Sequence, residues 1–141
     1  MMHLEEITAA VSLGHAGDRS AARTQLTALW DATADRQTRC AIAHYLADVQ
    51  DETADELMWD LRALEVVEDQ QWLPSLHLNL ADDYRRLAQP ALAHEHLTVA
   101  REHLSRLPED GYGQLIRSGV EHVADALAAG SVQRLETSPS T

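Results

Sequence analysis

The chain has 141 residues, enough for a single domain with its own core. Apolar residues make up 45%, but with three Trp, three Tyr and no Phe the core must come mainly from Ala and Leu, which favours helix over strand. A formal charge of −12, with Arg supplying all 11 basic residues, repels nucleic-acid phosphate, so no nucleic-acid partner is expected, and four Pro with six Gly are too few for an all-β chain.

The opening Met-Met-His-Leu-Glu-Glu has neither the basic segment nor the apolar run of a secretory signal, so a cytoplasmic location is expected. Leu4, Ile7 and Val11 at helical spacing predict a first helix over 4–15. Gly17 suits a left-handed close, and Asp18 caps a second helix over about 20–30, with Ala22, Leu26, Leu29 and Trp30 facing inward. A third helix over 36–49 carries Cys40, Ala43, Tyr45, Leu46 and Ala47. As the single cysteine, Cys40 allows no internal disulfide and reads as a small buried apolar residue. A fourth helix, 54–67, shows Leu57, Leu61 and Leu64 as its stripe and an acidic outer face. From Asp48 to Asp69 the basic Arg62 stands alone among carboxylates. That run reads as a solvated face or as a docking surface for a basic peptide.

Trp72-Leu73-Pro74-Ser75 marks the start of a fifth helix, 75–87, and Pro90 that of a sixth, 90–104. After the break at Pro108–Gly111, a seventh helix over 112–128 carries Leu115, Ile116, Val120, Val123, Ala124 and Leu127. Residues 1–129 are expected to form one domain, and the polar stretch 130–141 a flexible tail. No apolar run reaches the roughly 18 residues of a membrane span, so no membrane partner is expected.

A window starting at Pro74 has Leu80 and Ala81 at positions seven and eight, Tyr84 at eleven, Ala93 at twenty, Leu97 at twenty-four and Ala100 at twenty-seven. This pattern resembles the tetratricopeptide repeat (TPR). It departs from the family at His77 in position four and at Ala88 in position fifteen, where the family has Gly. A window from His3 fits more loosely, with Ala10, Gly17, Ala22 and Leu26 in place and Leu13 where the aromatic belongs. The middle window, from Gln37, puts His44 and Glu56 on the small positions, so its register must differ. Small residues such as Ala81 and Ala93 let facing helices come close, and each hairpin then leaves an apolar flank for a neighbour to cover. The expected fold is therefore an all-α superhelical solenoid of about three antiparallel TPR-like hairpins with a C-terminal capping helix.

The resemblance implies a concave groove lined from positions two, five, nine and twelve of each first helix. In the third window these are Ser75, Leu78, Asp82 and Arg85; in the first, Leu4, Ile7, Val11 and Gly14; in the middle, Thr38, Ala41, Tyr45 and Asp48. The partner-binding candidates are Leu4, Ile7, Val11, Tyr45, Asp48, Leu78, Asp82 and Arg85. Asp82-Asp83 and Arg85-Arg86 read equally as a binding cluster or as an ion-paired, solvated helix face.

His94, His96 and His103 suggest a metal, but residues two apart on a helix point to different sides, and no i, i+4 histidine pair exists there. No nucleophile motif or phosphate-binding glycine loop occurs. No catalytic residue, cofactor or metal is expected. The expected function is a non-catalytic module for a peptide or protein partner. Self-association as a homodimer is the alternative, and a metal-dependent enzyme the reading with least support.

Overall fold

The computed structural model describes residues 4–135. It is all-helical, with no strand among the described residues. The helices are α1 (Leu4–His15), α2 (Arg19–Ala32), α3 (Arg36–Asp48), α4 (Thr53–Val66), α5 (Leu73–Arg86), α6 (Pro90–Glu102) and α7 (Gly111–Ala128), with short 3-10 turns at Gln70–Trp72 and Leu104–Arg106. The chain divides between Glu68 and Asp69 into two compact units, the first holding α1–α4 and the second α5–α7.

In the N-terminal unit, α1 closes on Gly17 in the left-handed region (φ 100°), and Asp18 accepts from Ala21 N–H to start α2. Ala10 and Ala22 are completely buried, and Gly14 lies against Ala22 and Val49, where even a Cβ would be tight. Arg19 and Arg23 of α2 cap the far end of α3. They donate to the carbonyls of Gln50 and Val49 and both pair with Asp51. At the start of α3, Asp35 accepts from both the N–H and the hydroxyl of Thr38, which holds its carboxyl below the usual range.

The seam between α3 and α4 is built from other residues than the repeat window implies. The Cys40 thiol donates to the Ala63 carbonyl at 3.4 Å, and Ala43, Ala47 and Ala63 are buried. Burial pushes the thiol up to about 11, so it stays neutral. Trp59 meets Trp30 edge to face with ring centroids 5.2 Å apart, while Arg39 lies over Trp30 and Arg62 over Trp59.

This packing turns α4 around relative to the leucine stripe. Trp59 and Ala63 face inward together with Glu56 and Asp60, which are buried. Leu61 and Met58 are exposed, and Leu57 and Leu64 half-buried. The acidic face expected to be solvated therefore contributes two carboxylates to the interior. The Trp pair and the Cys40–Ala63 approach set the rotation of the helix, and the leucines follow it outward.

In the C-terminal unit the small residues of the window from Pro74 lie in the core. Ala81, Ala93, Leu97 and Ala100 are buried in one cluster with Leu78, Leu107 and the α7 residues Ile116, Val120, Val123 and Leu127. Tyr84 packs against the same cluster. Helix α5 touches both α6 and α7 and is buried over most of its surface. It ends on Ala88, a left-handed non-glycine residue (φ 58°) at position fifteen, with Ala88 N–H bonded to the Arg85 carbonyl and Gln89 N–H to that of Tyr84. Asp110 caps α7 through Gly113 N–H, and any Cβ at Gly113 would collide with the Pro108 carbonyl.

Residues 131–135 are tied to this unit. Ser131 offers its carbonyl to Arg85, and Leu135 packs against the apolar cluster. Residues 131–135 of the expected tail thus make contacts with this unit, and residues 136–141 lie outside those described.

Candidate functional site

Helix α5 brings together the most highly charged buried group among the described residues. One turn separates Asp82 from Arg85 and Arg86, so both guanidiniums reach the same carboxylate. Arg85 donates Nε and Nη2 to Asp82 Oδ1 at 3.1 and 2.7 Å. Arg86 donates Nε to Asp82 Oδ2 and Nη2 to Asp83 Oδ1, each at 3.1 Å. These four side chains are at most 5% exposed. The expected ion pairing is present, but it is buried rather than solvated. Two carboxylates against two guanidiniums leave the group neutral, which offsets the cost of removing it from water.

Arg85 also reaches outside the group. Its Nη1 donates to the carbonyl of Ser131 at 2.9 Å. The guanidinium is thus fixed on one side by a carboxylate and on the other by a main-chain carbonyl of its own chain.

The candidate residues fall into two groups. Leu78, Asp82 and Arg85 share α5 and are buried, Leu78 within the apolar cluster. They are brought together, but residues 131–135 already occupy part of their surroundings. In the N-terminal unit, Ile7 is buried, Leu4 exposed, and Val11, Tyr45 and Asp48 half-buried. Burial, and then the charge of Glu56, pushes the Asp48 carboxyl up to about 7, against the pull of His15 and Arg19. His44, beside Tyr45, is buried and pushed down to about 4.

The histidines arrange themselves in a way the spacing on α6 alone does not reveal. His96 meets His77 of α5 with Nδ1 atoms 3.0 Å apart and rings 22° from parallel, centroids 5.2 Å apart. A centroid separation so much longer than the N···N distance means the rings meet nitrogen to nitrogen. One must donate and the other accept, so their tautomers differ. Tyr84 lies nearly parallel to His96. Burial, and then His96 and His103, hold His77 down to about 4, and burial lowers His96. His77 is the departure at position four, and the residue it faces accounts for it. His103 instead accepts from Arg106 Nε. Among the described residues, no three His, Cys, Asp or Glu side chains are placed to hold a metal ion. Nor is any described helix long and apolar enough to cross a membrane.

Comparison with known proteins finds no matching family model, no matching curated protein and no matching solved structure.

Proposed function

We infer that the chain is a non-catalytic, TPR-like interaction module that works in the cytoplasm and binds an extended peptide or a peptide-like segment of a protein partner. The reading includes stacking of the hairpins into a superhelical array with α7 as its cap. One observation carries it: Arg85, at a groove position of the repeat and locked by Asp82, holds a backbone carbonyl of a chain segment without regular structure. The binding face is that of Leu78, Asp82 and Arg85. The other candidates, Leu4, Val11, Tyr45 and Asp48, belong to α1 and α3 of the N-terminal unit. Exposed Glu52, Asp55 and Glu65, in a chain of net charge −12, favour a basic partner.

The test is selection from a random peptide library on the immobilised full chain, followed by calorimetry. Selected peptides should bind the wild type and bind Arg85→Lys at least about tenfold more weakly, because lysine keeps the charge but loses the two-edged fork. A library that yields no binder rejects the reading.

Exposed Met58 and Leu61 on α4, and Tyr112 and Leu115 on α7, favour self-association as a second reading. Sedimentation equilibrium tests it, and a monomer at micromolar concentration removes it.

A further inference from the structure

We propose that His77 and His96 form a two-step acid latch between α5 and α6. His96 donates its Nδ1–H to the bare Nδ1 of His77, the pair takes up one further proton with this bond intact, and a second proton parts the rings. The latch goes beyond the interaction reading and does not rest on it.

The geometry is that of a shared proton. The two Nδ1 atoms lie 3.0 Å apart, and both rings are half-buried. Tyr84 stacks on His96 at 15° with centroids 5.4 Å apart, which fixes the plane of that ring. In the neutral pair two ring nitrogens carry no proton: the donor's Nε2 and the acceptor's Nδ1. The acceptor's Nδ1 is already engaged in the bond, so the first added proton goes to the donor's Nε2.

The surroundings decide which ring donates. Burial, and then the charges of His96 and His103, hold His77 down to about 4. Burial also lowers His96, but Glu95 favours its charged form. Among the described residues, none of the charges acting on either ring lies on α7. His96 is therefore the ring that charges first, and an imidazolium is a stronger donor than a neutral imidazole, so the first proton tightens the latch. The second proton has His77 Nδ1 as its remaining place. There it ends the hydrogen bond, sets two N–H groups against each other and brings two like charges together. His103 offers no relief, because its own Nδ1 accepts from Arg106 Nε.

The test follows the histidine rings of the full chain, labelled with nitrogen-15, by NMR from pH 8 to pH 3. At pH 8, His96 should be the Nδ1–H tautomer and His77 the Nε2–H tautomer, with a coupling between the two Nδ1 atoms across the bond. On acidification His96 should charge first with the coupling retained, and the coupling should vanish as His77 charges. Amide hydrogen exchange in α6, corrected for its intrinsic pH dependence, should then accelerate between pH 6 and pH 4 by at least about tenfold more in wild type than in His77→Gln, whose side chain hydrogen-bonds but takes no proton. His96→Gln serves as the second variant should His77→Gln disturb helicity by circular dichroism. Any other pair of tautomers at pH 8 overturns the proposal, as does absence of the coupling or its loss with the first proton. Equal acid loosening of α6 in wild type and variants overturns it as well.

Discussion

The hairpins α3–α4 and α5–α6 solve the same packing problem with different residues. In α5–α6, Ala81 and Ala93 are buried in one apolar cluster, and the left-handed Ala88 closes α5. In α3–α4 the corresponding small positions hold His44 and Glu56, so the approach moves to Cys40 and Ala63, beside a Trp30–Trp59 pair. A close seam needs small residues facing one another. It does not need them at one fixed place, and a bulky aromatic pair beside it can reset the rotation of a helix. The two hairpins also handle buried charge differently. On α5, Asp82 and Asp83 are neutralised by Arg85 and Arg86, whereas burial, and then the charge of Glu56, raises the Asp48 carboxyl on α3.

The largest effect is expected from breaking the buried charge group. Asp82→Ala leaves two guanidiniums without their shared carboxylate and should cost about 3–5 kcal/mol in urea unfolding of the C-terminal unit. Overpacking the seams comes next. Ala93→Leu and Ala63→Leu should each destabilise their own unit by about 1–3 kcal/mol. A mild effect at Ala63 would show that the α3–α4 seam lies elsewhere.

Acidity separates the hairpins by sign. Asp48 is raised, so the folded chain holds its proton more tightly than the unfolded one. The stability this gives is fully present below about 3.8 and is lost as pH rises through about 7. Asp48→Asn should therefore raise the melting temperature relative to wild type at pH 8 and lose that advantage at pH 4. His77 is lowered to about 4, so its neutral form stabilises the fold above 6.5, and that contribution is lost as pH falls from 6.5 to 4. His77→Gln should flatten the acid limb for the C-terminal unit. The smallest change is Ala88→Gly, which should stabilise by about 0.5–1 kcal/mol by relieving a left-handed alanine at an exposed turn.

Much of the fold was legible because helix boundaries follow local chemistry. Asp18 caps α2, Gly17 closes α1, Pro90 opens α6, and α7 starts at the end of the Pro108–Gly111 break. Ala81, Ala93 and Leu97, singled out by their spacing, are buried in one cluster of the C-terminal unit. The rotation of α4 was not legible. Leu57, Leu61 and Leu64 make the better apolar stripe, and only the partner of Trp59 decides against it. The site was half legible. Asp82 and Arg85 stand among the candidates read from the sequence, but the bond from Arg85 to Ser131, 46 residues along the chain, is not visible in a local pattern. The His77–His96 pair was missed because a pattern sought on one helix cannot show a partner on the next.

The central claim is that Arg85, held by Asp82, receives the backbone of a bound polypeptide. Calorimetric titration of a library-selected peptide into wild type and Arg85→Lys tests it most directly. The account predicts at least about tenfold weaker binding to the lysine variant at unchanged helicity; equal affinity in two folded proteins would contradict it.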